Sequence, residues 1–209
     1  DRFFTAEDFH RDASGNFIWV KQFGANWTDQ ARSLEIDAKG NIYFGGSFGS
    51  TVDFDPGPGV FNLSANSATS NSNFICKLDN DGNYVWAKEF EDNSISSLVV
   101  SDAGDVFAAG SFFSTADFDP GPGTAILTQF GFTGASDFKA DAYVLKLNTD
   151  GQFVWVRQLG GQDNDLASSI NLDNQGNLII AGEFKSTADF DPGPGTQNLT
   201  AGSLADLFV

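Results

Sequence analysis

Three copies of one seven-residue string, Asp-Phe-Asp-Pro-Gly-Pro-Gly, hold the side chains best suited to chemistry: Asp53 to Gly59, Asp117 to Gly123 and Asp189 to Gly195. In an extended segment the two Asp at i and i+2 lie on one side, while Phe54, Phe118 or Phe190 points to the other. The Pro-Gly-Pro-Gly that follows fixes φ at each Pro and frees it at each Gly, which predicts a rigid double turn with exposed carbonyl oxygens. Carboxylates with carbonyls are the oxygen set that Ca²⁺ takes, so Asp53, Asp55, Asp117, Asp119, Asp189 and Asp191 are candidate Ca²⁺ ligands. Two side chains fall short of the roughly six to eight oxygens of a calcium site, and the same carboxylates could instead cap N–H groups of their own turn.

Other residues offer less. His10 is the sole histidine, far from any Ser or Cys motif, and a carboxylate pair in every copy would make three identical sites. The expectation is therefore a non-enzymatic chain with no catalytic residue. Asp79-Asn80-Asp81-Gly82 begins like a calcium loop, but its counterparts carry Lys39 or Gln175 there, which marks a turn. Trp19, Trp86 and Trp155 share one repeat position and read as core, whereas Trp27 stands in a polar link as a candidate exposed contact. Asn26, Asn62 and Asn198 fit the Asn-x-Ser/Thr acceptor pattern, and the polar loop from Ser64 to Asn73 is a further place for sugar or a linker.

Composition sets the class. The 209 residues are 41% apolar, and with 22 Phe, 23 Gly and Asp far outnumbering Glu they read as strands joined by tight turns. A net charge of -17 with scattered Lys and Arg argues against nucleic acid and favours divalent cations. Cys76 is the lone cysteine, so no intrachain disulfide forms, and no apolar run is long enough for a membrane span. A chain starting at Asp1 without any Met fits a mature or excised product and points to secretion, to the extracellular space or the cell surface.

Four strand positions recur. Position d is Asn16 to Gly24, Asn83 to Phe90 and Gln152 to Gly160; position a is Ser33 to Asp37, Ser97 to Ser101 and Ser169 to Asp173. A turn ending in Gly leads to position b, Asn41 to Phe48, Asp105 to Phe112 and Asn177 to Phe184, whose small pairs such as Gly45-Gly46 allow close approach. The heptapeptide comes next, then position c, Asn73 to Leu78 and Ala142 to Leu147, with Leu207 to Val209 as a short third copy. Segments 1-14 (unrepeated), 15-32 (leftover d and link), 33-96, 97-168 and 169-209 (incomplete) follow from this register.

Strands apolar on both faces must be covered on both, which four-stranded antiparallel blades stacked around an axis achieve. The pattern Asp-x-x-Gly-Asn followed by two apolar residues and Trp, then Gly-Ser-Phe, then the heptapeptide, resembles the bacterial SBBP family of β-propeller repeats. The resemblance spans roughly residues 15 to 209 and implies large secreted or surface proteins without implying an activity. The fold class expected is all-β: three propeller-type blade repeats, with the last blade split between the C- and N-termini.

One d is left over at the start and one is wanting at the end, so Phe17, Ile18, Trp19, Val20 and Phe23 on one side and Leu207, Phe208 and Val209 on the other are the candidate assembly strands. Three blades are too few to close alone. Self-association into a ring or an open fibre is the first expectation, and a fragment of a longer propeller is the other. A carbohydrate- or protein-binding module with Ca²⁺ is the alternative function, and a propeller hydrolase comes last.

Overall fold

The computed structural model describes residues 6–11, 13–65, 72–134 and 139–209, with side chains described from residue 13 onward. The described residues form strands and turns. β1 (Ala6–Arg11) and β2 (Phe17–Phe23) pair as an antiparallel hairpin. Then come β3 (Gln30–Ile36), β4 (Ile42–Phe48), the short ribbon of β5 (Thr51–Asp53) and β6 (Asn62–Ser64), β7 (Ser72–Leu78) and β8 (Tyr84–Phe90). β3, β4, β7 and β8 make a four-stranded sheet in that order, the a-b-c-d blade expected.

The order repeats in β9 (Asn93–Val100), β10 (Val106–Phe113), β11 (Thr115–Asp117), β12 (Ile126–Thr128), β13 (Ala140–Leu147) and β14 (Phe153–Gly161). It begins again in β15 (Leu166–Leu172), β16 (Leu178–Phe184), β17 (Thr187–Asp189), β18 (Asn198–Thr200) and β19 (Asp206–Phe208). The last ribbon joins the second blade, where Gly160 and Gly161 of β14 pair with Asp189 and Ala188 of β17. The third blade proper is β15-β16-β19.

The turns are built as their residues dictate. Gly40, Gly82, Gly104, Gly151 and Gly176 all take positive φ, and the residue three before each accepts their N–H through its backbone carbonyl. Asp37 Oδ1 also accepts the N–H of Lys39 and of Asn41, each at 2.9 Å, and Asp79 and Asp173 do the same in their turns. Asp81 and Lys39 occupy ordinary turn positions.

The apolar cores lie between the sheets. Tyr43, Ile75 and Trp86 of the first blade pack with Ile95, Leu98 and Val106 of the second. Phe107 and Val144 of the second blade pack with Ala167 and Ile170 of the third. β4 and β7 are buried at every residue, because alternate side chains enter different cores. Gly46 and Gly110 exist for space: a Cβ there would lie 1.8 Å from the carbonyl oxygen of Gln30 or Ser94 on the neighbouring a strand, where each a strand carries a bulge.

Two expectations change. Within the segment 1–14, Ala6–Arg11 form a strand, β1, that takes position c. His10 pairs with Trp19 and Arg11 with Phe17, passing over Ile18; Lys77 pairs with Trp86 and Leu78 with Tyr84, passing over Val85. Partner for partner, β1–β2 is the c-d hairpin of a blade.

The candidate assembly strands also stand apart within the chain. Phe17, Ile18, Trp19, Val20 and Phe23 lie on β2 beside β1, while Leu207 and Phe208 lie on β19, which among the described residues pairs with β16 alone. The last blade is therefore not joined across the termini. The edge of β2 that a c strand would use is already held by β1.

Candidate functional site

In each heptapeptide the Phe points inward as expected, with Phe54 and Phe118 buried and Phe190 partly so. The two Asp act on their own loop. Asp53 Oδ1 accepts the N–H of Asp55 at 3.0 Å and of Phe61 at 2.8 Å, and Asp55 Oδ1 accepts that of Gly57 at 2.8 Å. Asp117 and Asp119 hold Ala125 and Gly121 in the same way, and Asp189 and Asp191 hold Gln197 and Gly193. The N–H groups of Asp191 and Gln197, donating to it, hold the Asp189 carboxyl below its ordinary range.

The glycines of the string serve a different purpose from the one expected. None of the six is among the residues with positive φ. A Cβ at Gly59, Gly123 or Gly195 would instead fall 2.1 to 2.2 Å from Oδ2 of Asp55, Asp119 or Asp191. The final Gly makes room for the carboxylate that caps the turn. Among the described residues no three His, Cys, Asp or Glu side chains gather as a metal site.

The loops border two equivalent clefts between neighbouring blades. One, of about 650 Å³, lies between Lys88, Glu89 and Glu91 on β8 and its exit and Thr115, Asp117 and Asp119. The other, of about 660 Å³, lies between Gly160 to Asp163 and Thr187, Asp189 and Asn198. A third hollow, of about 500 Å³, is more apolar and belongs to the third blade, where Leu178, Ile180, Phe190, Leu199, Phe208 and Val209 line it.

The shared Trp position works across blade boundaries. The Trp86 indole N–H donates to the Thr149 carbonyl at 3.1 Å, and a Cβ on Gly151 would come within 2.9 Å of the Trp86 ring. Gly82 stands likewise under Trp19. Trp27 is 53% exposed, and Asn26, Asn62 and Asn198 are exposed too. The Ser64-to-Asn73 loop falls largely outside the described residues, as does the His10 side chain.

Sequence reasoning passed over two sets of polar residues. Ser33 Oγ accepts the Leu98 N–H at 2.9 Å, and Ser97 Oγ accepts the Ile170 N–H at 3.3 Å, each across a blade boundary. The signal was their shared position at the start of a. Asp29 and Asp165 are buried in the d-to-a links and tie each link to the end of b: Asp29 accepts from Ala25 and Gly49, Asp165 from Gly161 and Lys185. Burial pushes the Asp165 carboxyl up to about 6, against the pull of those two N–H groups.

Antiparallel sheets stacked face to face, with cores between them and one register repeated from hairpin to hairpin, define a β-propeller type of repeat protein. Residues 18–47 match the family model of SBBP, the beta-propeller repeat, which supports an SBBP-type repeat in that stretch. No curated protein matches the chain.

Proposed function

We propose that the chain is a non-enzymatic, extracellular building block, a β-propeller-repeat subunit that associates with copies of itself by strand complementation into a surface fibre, ring or matrix. The observation that carries this is the match between β1–β2 and the open edge of the third blade. β19 pairs with β16 only over Gly182 to Phe184, leaving Leu178 to Ala181 beside the apolar hollow. By the pairing of β4 with β7, β1 of a second copy at position c would set Phe9 to Arg11 opposite Ile180 to Leu178. Ala6 to Asp8, which pair with Lys21 to Phe23 within one chain, would give way there to Leu207 to Val209, so that β2 lies outermost with Lys21 opposite Val209 as Lys88 is opposite Ile75. Main-chain pairing of this kind supplies affinity, and the apolar hollow supplies specificity.

The test is sedimentation of the intact chain over a wide concentration range, together with the double variant Lys21→Cys, Val209→Cys under mild oxidation. Association and disulfide-linked multimers are the expected results, Cys76 being buried and inert. A discrete monomer at every concentration overturns the reading.

The second reading is a carbohydrate- or protein-binding module that uses the two inter-blade clefts, with Ca²⁺ at the heptapeptide Asp pairs. It is favoured by the recurrence of the clefts and by the carboxylates beside them. A melting temperature raised by Ca²⁺ and lowered by EDTA supports the calcium form, and an unchanged one removes it.

A further inference from the structure

Each boundary between blades in the chain closes at its inner rim with one contact, a Ser hydroxyl of the a strand accepting an N–H from the next a strand. The residues that give the N–H, Leu98 and Ile170, are 1% and 4% exposed. Their counterpart Leu34, opposite Phe44 in the register that sets Leu98 opposite Ala108, is 50% exposed, and Ile36 two residues on is 60% exposed. At the other end of the array Ser169, the counterpart of Ser33 and Ser97, is exposed on β15.

The apolar groups around these contacts follow the same rule. Tyr43 and Ile75 are buried in the first boundary, and Phe107 and Val144 in the second. The residues that hold those positions in the third blade, Ile179 and Val209, are 47% and 93% exposed. The chain thus presents, on opposite sides, the two halves of an interface that it already makes twice internally.

We infer that the third blade docks on the first blade of a second copy, with Ser169 Oγ accepting the Leu34 N–H and with Leu34 and Ile36 covering Ile179 and Val209. This rests on the self-association proposed above and adds an inner rim to its outer strand pairing. A second copy is the occupant because both halves stand on one chain and each continues an interface of known geometry. The contact is head-to-tail, so it propagates to a closed ring or an open filament.

Leu34→Asp and Ser169→Arg test it, both at exposed positions that the fold does not need. Each variant alone should sediment as a monomer where the parent associates. An equimolar mixture should give a one-to-one heterodimer and nothing larger, because only one intact pair of faces remains. Either variant associating as the parent does, or a mixture that stays monomeric, overturns the inference. If those variants associate normally while Lys21→Cys, Val209→Cys still cross-links between chains, the strand reading stands and the inner rim falls. If the variants dissociate and complement while no cross-link forms, the inner rim stands and the strand reading falls. A parent that is monomeric throughout removes both.

Discussion

The Ser33 hydroxyl and the Leu98 backbone N–H meet at 2.9 Å across the boundary between two blades, and Ser97 meets Ile170 in the same way. Both contacts adjoin the bulge of an a strand, where β3 passes over Arg32 and β9 over Ser96 in pairing with the b strand. A bulge disrupts the ladder locally and turns backbone groups away from it. The Leu98 N–H, two residues past the bulge on the free edge of β9, finds its acceptor on the neighbouring blade.

Replacing Ser97 by Ala should lower stability by about 1–2 kcal/mol, since the Ile170 N–H loses its acceptor in a largely buried boundary. For a chain of this length that is roughly 2–8 °C in melting temperature. Ser168→Ala, on the exposed bulge of β15, should leave it nearly unchanged. Thermal unfolding of the two variants side by side checks this.

Gly110→Ala should cost about 3 kcal/mol, because the new Cβ would meet the Ser94 carbonyl oxygen, a backbone atom that cannot rotate away. Alanine is ordinarily well accepted when it replaces a glycine of ordinary φ. Denaturant titration giving a loss below about 0.5 kcal/mol would show that the bulge can relax.

Asp117→Ala should destabilise by about 1–2 kcal/mol whether or not calcium is present, since the N–H groups of Asp119 and Ala125 both lose their acceptor. Measured in EDTA and again in millimolar Ca²⁺, the same loss points to the turn alone. A loss seen only with Ca²⁺ points to a ligand.

Asp165 makes stability depend on pH in a defined window. Burial pushes its carboxyl up to about 6 in the folded chain, above the ordinary aspartate value of about 4 that it keeps when unfolded, so the folded state binds the proton more tightly. The stability this contributes is present below pH 4 and is lost as pH rises through 6. Glu35 and Glu89, also raised by burial, act in the same direction. Asp165→Asn should flatten the fall in melting temperature between pH 4.5 and 7. An unchanged slope would place the proton elsewhere.

Much of this was legible in residue order. The turns Asp37 to Gly40 and Asp79 to Gly82 announce themselves because a capping side chain and a residue tolerant of positive φ sit at fixed spacing. The inward Phe of each heptapeptide follows from alternation along a strand. β1 was not legible, because Ala6, Glu7 and Asp8 stand where Asn73, Phe74 and Ile75 stand in the first blade, and only the backbone register identifies the strand. The final Gly of the heptapeptide was misread for a related reason: the need for it comes from the Asp55 carboxylate folding back over the turn, and not from its own φ.

By itself the sequence determined the order of strands, the turns between them and the period of the repeat, since these depend on backbone preferences and contacts spanning only a few residues. Which faces are covered was decided by the tertiary structure alone. Leu34 and Leu98 are the same residue at the same place in two equivalent strands, yet one is half exposed and the other buried. Burial depends on the sheet that lies against a strand, and that sheet comes from a distant part of the chain.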